Sequence, residues 1–464
     1  MATMRLRLAL ALSMFAATPL LAQPKPAAPV AEDMASFEKD VDALFVQGGL
    51  TADQAAARAG KVSPTVRRNA AQVEVAIATA EAAELARVPQ VGAKLAYTRL
   101  SPLDPLSFGP GIPPFEFPVN SYAAQASVIV PLSDYVFRYP KLIAAAKSAT
   151  EAARTSRSSA EINAGQEARL AYYEWIRAKL QVLIAQRQYL QVKAVLKQVR
   201  ALADAQRLSK ADLMRVESQE AQAEQVTAQL RNLETLREEQ LRLLIGATHG
   251  EQLGAGEDVR VLLTAPAAGQ LDQMVSQATS RRLELKVLDT GIDAKTKQRD
   301  SEKASRLPRL SAFAQTDYAN PNQRVFPQTA EFNFTWQAGV QLSWTLNDTL
   351  LANTTLKRLA AETDQLRADR DNLLRGLRLE ILAAQQAVLL AQVALATSAK
   401  GLAAAEEGYR VRRELLNAER ATAVELVDAE TDLTRARIAA LNARVDLRVA
   451  LVQLQHALGE DAKR

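Results

Sequence analysis

From Phe332 to Leu346 apolar and polar residues alternate strictly. Phe332, Phe334, Trp336, Ala338, Val340, Leu342, Trp344 and Leu346 share one face, and Asn333, Thr335, Gln337, Gly339, Gln341, Ser343 and Thr345 share the other. A period of two predicts a strand. The run is long for a globular strand, and its polar face carries no charge. It fits a transmembrane barrel strand with lipid on one side and water on the other. Trp336 and Trp344 lie roughly 26 Å apart along a strand, close to the roughly 25 Å apolar band between aromatic girdles. Phe332, Phe334 and Tyr122 are further girdle candidates. An earlier run places Tyr122, Ala124, Ala126, Val128, Val130 and Leu132 on one face in the same way. Four strands are expected, at 88–98, 121–132, 307–318 and 332–346; the alternative for this pattern is one face of a soluble sandwich.

Elsewhere the pattern is helical. No proline occurs between Pro140 and Pro266 or after Pro327, and both stretches are rich in strong helix formers. A continuous helix from Lys141 to about Arg207 would be roughly 100 Å long, too long for a globular core to cover, so it needs equally long partners. Near the C-terminus, Leu426, Leu433, Ala440, Leu447 and Leu454 recur every seven residues. Ala429, Ala436, Ala443, Ala450 and Ala457 follow three residues on. This a/d seam predicts left-handed supercoiling, with Glu425 and Asp428 flanking it.

The chain repeats itself. "VIVPLSD" answers "LSWTLND", "SKADLMRVESQ" answers "TAVELVDAETD", and "LLIG" ending at Gly246 answers "HALG" ending at Gly459. Two structural repeats follow, at 50–246 with a helical tip near 207–211 and at 271–459 with a tip near 417–422. An irregular Gly-rich segment at 247–270 separates them, and 460–464 form a tail. The fold class is mainly α with a β membrane part, in which long antiparallel coiled coils join four strands per protomer. Four strands cannot close a barrel, since the smallest have about eight, and open edges are not tolerated in lipid. Oligomerisation is therefore expected.

Composition narrows the classes. Arg5 and Arg7 precede an apolar run and then Ala22, which reads as a signal peptide over 1–22, followed by a linker over 23–49. Removing Arg5 and Arg7 from the 57 basic residues leaves 55 against 52 acidic ones, which gives nucleic-acid binding no support. There is no cysteine, which excludes disulfides, zinc–thiolate sites and a lipidated N-terminal Cys. No unbroken run of about 18 apolar residues follows the signal, so no membrane helix is expected. The two histidines, His249 and His456, stand without ligand spacing, so neither a metal, a cofactor nor catalysis is expected.

The proline-led strands "VPQVGAKLAYT" and "LPRLSAFAQTDY", the turns "VPLSDYV" and "LSWTLNDTL", the tip "ATAVELVDAETDL" and the terminal "ALG" together resemble the TolC family of outer-membrane efflux and secretion channels. The resemblance covers about Leu50 to Gly459. It implies a homotrimer with one 12-stranded barrel in the outer membrane of a Gram-negative bacterium and a large periplasmic part. It also implies docking to a periplasmic adaptor and an inner-membrane pump of RND or ABC type, and passage of small molecules or secreted proteins without chemistry. A barrel-anchored coiled-coil structural or adhesive protein is the alternative; two copies of the strand-and-helix unit argue against it.

Acids three residues apart can be a solvated helix face. The resemblance instead places Glu425 and Asp428 at the family's paired tip acids, which line the periplasmic entrance, with Glu425 where Asp is usual. Asp212 and Arg215 hold the equivalent places in the first repeat, and Arg215, Asp212 and Arg420 are candidate salt-bridge partners. The family's usual tip glycine is missing from "LLNAERAT".

Overall fold

The computed structural model describes residues 39–107, 109–111, 114, 117–206, 208–248, 250–261, 263, 269–326, 328–418 and 420–461. The expected signal peptide, most of the linker, His249, Arg207 and the last three residues of the tail lie outside the described residues. The chain divides into a unit ending at Leu44, of which only 39–44 are described, and a unit from Phe45 to Arg464. The strands and the long helices all belong to the second unit.

Strand β1 (Phe45–Leu50) leads into helices α1 (Ala52–Val62) and α2 (Pro64–Leu85). The hairpin β2 (Gln90–Arg99) and β3 (Asn120–Val130) comes next, then the short α3 (Leu132–Phe137) and the long α4 (Tyr139–Asp204) and α5 (Lys210–Ile245). The second half runs α6 (Leu271–Arg281), α7 (Leu283–Glu302), β4 (Arg309–Asn320), β5 (Asn333–Ser343), α8 (Leu346–Asn417) and α9 (Ala423–Ala457). At 66 and 72 residues, α4 and α8 span about 100 Å and 108 Å. Glycines 246 and 459 are both left-handed, with φ of +63° and +66°, and follow the ends of the last helix of each half.

The strands form one antiparallel sheet in the order β2-β3-β4-β5. Their ends differ from the expected ones for local reasons. Pro89 and Pro308 cannot donate to a ladder, so β2 and β4 begin at Gln90 and Arg309. Pro131 ends β3, so Leu132 opens α3 instead of closing a strand. Thr345 is the N-cap of α8, which removes Trp344 and Leu346 from β5.

One further expectation is corrected, and one is qualified. The linker and the Gly-rich segment are not wholly irregular, because Phe45 and Leu50 each form a parallel bridge with Ala255. Leu50 donates to the Gly254 carbonyl and accepts from the Gly256 N–H, both at 2.8 Å. A side chain on Gly256 would run into the Gly49 carbonyl, so this crossing requires glycine. Secondly, α8 is long and apolar enough by length and composition to cross a membrane, with an 18-residue window of mean hydropathy 1.6. Alanine and leucine raise this mean although glutamines interrupt the run.

The helical core follows the heptad seam. Leu447, Ala450, Leu454 and Ala457 of α9 pack with Leu377, Ile381, Ala384 and Val388 of α8 and with Leu285 of α7. Leu426, Leu433, Ala440, Leu447 and Leu454 are all buried, whereas Ala429 and Ala436 are only partly so. A second face of α9 binds α4 through polar side chains: Arg177 donates to Asp446 at 2.6 Å and Gln181 to Asn442 at 2.9 Å. Arg448 donates to the carbonyls of Asp258 and Val261, both at 2.9 Å, and so ties the mid-chain segment to the helices.

Candidate functional site: the helical tip

The first turn of α9 is inserted between two neighbours. Val424 and Val427 pack with Val192, Leu196 and Val199 of α4 and Val216 of α5. Leu426 packs with Tyr409 of α8. Glu425 and Asp428 stand at the margins of these two contacts, and each reaches a different helix. Asp428 accepts from Arg215 of α5 at 3.0 Å and from Gln219 at 2.8 Å. Glu425 lies 3.4 Å from Arg412 of α8.

Glu425 also completes a capping box. Its carboxylate accepts from the Thr422 N–H at 3.0 Å, and its own N–H donates to the Thr422 hydroxyl at 3.2 Å. The box satisfies two helix-end donors that would otherwise lack partners. Ser209 and Asp212 make the related cap on α5, where the Asp212 N–H donates to the Ser209 hydroxyl at 3.1 Å. Asp212 therefore serves its own helix end. Among the described residues the Arg420 side chain makes no ion pair; the Arg420 backbone N–H donates to the Leu415 carbonyl at 2.8 Å. Arg412, Gln219 and Thr422 were not expected as participants. Thr422 was legible as T-x-x-E ahead of an apolar run, whereas Arg412 depends on how α8 and α9 lie side by side.

Arg215 and Asp428 are 213 positions apart, and so are Ser209 and Thr422, and Asp212 and Glu425. The two repeats thus meet at the tip with equivalent positions face to face. An open groove of about 580 Å³ adjoins the pair, lined by Gln188, Gln222, Thr431, Asp432 and Arg435 among others. The first tip turns without glycine: Gln206 adopts φ +57°, the left-handed geometry that usually ends a helix on glycine. Arg410, near the second tip, has its pKa raised by the carboxylates of Glu407 and Glu414.

At the other end of the molecule the sheet sorts its side chains by face. The five expected girdle residues, Tyr122, Phe332, Phe334, Trp336 and Trp344, are all exposed in the protomer. Tyr122 meets Tyr97 at 5.0 Å between ring centroids and Phe332 at 6.3 Å, and Phe332 stacks on Tyr318 at 5.1 Å. Tyr97 and Tyr318 join this rim through strand register. Among the described residues no group of three or more His, Cys, Asp or Glu side chains is placed to hold a metal. His456 is buried, and its Nδ1 lies 2.7 Å from Asp461.

Comparison with known proteins agrees with this arrangement. The sequence pattern of the outer membrane efflux protein family matches residues 274–460. No curated protein matches the chain by sequence. Among solved structures, the CmeC outer membrane channel of Campylobacter jejuni superposes with TM-score 0.74 at 12% identity, covering 91% of this chain and 87% of its own. The outer membrane protein VceC of Vibrio cholerae gives 0.71 at 15% identity, with 88% and 96% covered. The open state of the MtrE outer membrane channel of Neisseria gonorrhoeae gives 0.70 at 17%, with 88% of each chain covered. The fold is that of the solved outer-membrane channels, and the second half of the chain is similar in sequence to the outer membrane efflux protein family. The resemblance to the TolC family read from the sequence is borne out.

Proposed function

We propose that the chain is one third of a trimeric exit duct, which carries solutes across the outer membrane from a periplasmic adaptor and an inner-membrane pump. The observation that carries this reading is the sheet. It has one apolar and one polar face, two unpaired outer edges at β2 and β5, and two long helix pairs continuing from it. Unpaired edges are not tolerated in lipid, so copies must join edge to edge, and three copies give 12 strands. Efflux is favoured over protein secretion by the family pattern.

The tip acts as the periplasmic gate. Asp428 with Arg215, and Glu425 with Arg412, hold α9 against α5 and α8 within the protomer. Their side chains are 45–59% exposed, and exposed pairs contribute about 0–1 kcal/mol each, weak enough to be opened by a docking partner. Native mass measurement in detergent should give a trimer, and the trimer should conduct in planar bilayers; a stable lone protomer or a silent trimer would refute the duct. For the gate, Glu425→Gln with Asp428→Asn keeps the capping geometry while removing six charges per trimer. Cation preference and block by multivalent cations should both weaken, since charged rings select ions; unchanged values would leave the two acids as helix caps and surface pairs only.

A further inference from the structure

The ladders decide which peptide groups of the two outer strands are free. The Leu100 N–H donates to the Val119 carbonyl at 2.7 Å, one step beyond the Arg99–Asn120 pair of the β2–β3 register. Opposite residues of an antiparallel pair alternate between bonded and non-bonded, so even-numbered residues of β2 bond to odd-numbered residues of β3. The even residues of β3 then bond to β4, as at Tyr122–Asn320, and the odd residues of β4 bond to β5, as at Asp317–Thr335. At the outer edge of β5 this leaves the N–H and C=O of the even residues from Phe334 to Leu342. On β2 it leaves those of the odd residues from Val91 to Arg99. The two edges suit each other. Tyr97 pairs with Tyr122, so the odd residues of β2 lie on the same apolar face as the even residues of β5. A second copy's β2 can therefore bond antiparallel to β5 with both apolar faces on one side, whereas a slip of one residue would turn one of them over.

One of the free carbonyls is already taken within the protomer. Arg324, in the loop after β4, donates to the Trp336 carbonyl at 2.7 Å. The loop that presents it is fixed at Asn322, which is buried and donates to the Asn333 carbonyl at 2.9 Å and to Thr335 Oγ1 at 3.2 Å. The Asn322 side chain in turn accepts from the Arg324 backbone N–H at 3.0 Å. Arg324 is exposed and makes no ion pair among the described residues, so no carboxylate holds it at the edge.

We infer that Arg324 is a latch on the seam between copies, and that the strand which displaces it is β2 of a second copy of this chain. The inference rests on the trimeric duct proposed above. An open edge strand is a template for pairing with any strand that meets it, and charges placed on the edge guard against this. The guanidinium covers the edge near the loop end of β5, whereas Ala338, Val340 and Leu342 continue the edge toward the helices. The neighbour's β2 begins to pair there, from its own helix-side end, and zips toward the loops. Its backbone N–H then replaces Arg324 on the Trp336 carbonyl, and the arginine is released to water. A slipped strand must displace the same arginine without matched apolar faces to offset the loss.

The test follows trimer formation by the mature chain diluted from urea into detergent, read on native gels over time. Arg324→Ala should reach half-maximal trimer several-fold sooner than wild type and leave more slipped, higher-mass oligomers. The conductance of its finished trimers should be unchanged. Arg324→Lys keeps a cationic donor and should assemble at about the wild-type rate, as should Gln323→Ala, which alters an exposed neighbour in the same loop. An alanine variant no faster than wild type, or a lysine variant as fast as the alanine one, would overturn the latch and leave the duct standing. Wild-type chain that folds but never trimerises would overturn the duct and the latch with it.

Discussion

Gln206 holds a backbone conformation that costs most side chains roughly 1–2 kcal/mol, at φ +57°. Gln206→Gly should therefore stabilise the first tip by up to about 1 kcal/mol, discounted for the extra freedom of glycine in the unfolded chain. Amide exchange across Ala201–Leu213 would measure it, and faster exchange in the variant would contradict it. Single residues of the site were unevenly legible. Glu425 and Asp428 stood out as paired acids, whereas the capping role of Glu425 emerged only with the structure, although T-x-x-E at Thr422–Glu425 carries its signature. Pairing Asp428 with Gln219 and Glu425 with Arg412 needs the sideways packing of α5, α8 and α9, which no local pattern encodes.

At the scale of elements, the alternation along β5 separates two kinds of substitution. Val340→Arg points a charge from the apolar face and should cost about 2–4 kcal/mol at the bilayer midplane, seen as loss of trimer on native gels. Gln341→Arg, on the polar face, should leave assembly intact and alter conductance. The helices offer a second test, at the junction of α6 and α7. Burial pushes the Glu284 carboxyl up, but Arg282 at 3.0 Å and the Ser159 hydroxyl outweigh it and hold the group below its ordinary 4.5. A lowered folded pKa contributes stability above the unfolded value, which is lost as pH falls through the folded one. The melting temperature should therefore fall on acidification below about 4.5, and Glu284→Gln should flatten that fall. The strands and long helices were legible because period two and the heptad repeat are local. Their ends were legible only through proline, and the crossing of β1 with the mid-chain segment depends on glycines far apart in sequence.

At the scale of the whole molecule, the internal repeat was visible as matching phrases, but that its halves touch at matching positions was not. Arg215 and Asp428 are the same place in two copies of one pattern, held 3.0 Å apart. Arg215→Asp and Asp428→Arg should each set like charges together and raise the open fraction of single channels. The double exchange, Arg215→Asp with Asp428→Arg, should bring it back. A double variant as open as the single ones would mean that the contact plays no part in closure.

Two identical halves meeting in this way would always repel at that point, arginine against arginine or aspartate against aspartate. Divergence between the halves is what lets the contact attract, and it completes the contact inside one polypeptide. No neighbouring copy is needed to make or break it. Opening should therefore be graded across the assembly: trimers mixed from wild-type and Arg215→Asp chains should pass through intermediate conductance levels in proportion to the number of altered chains, with no concerted jump.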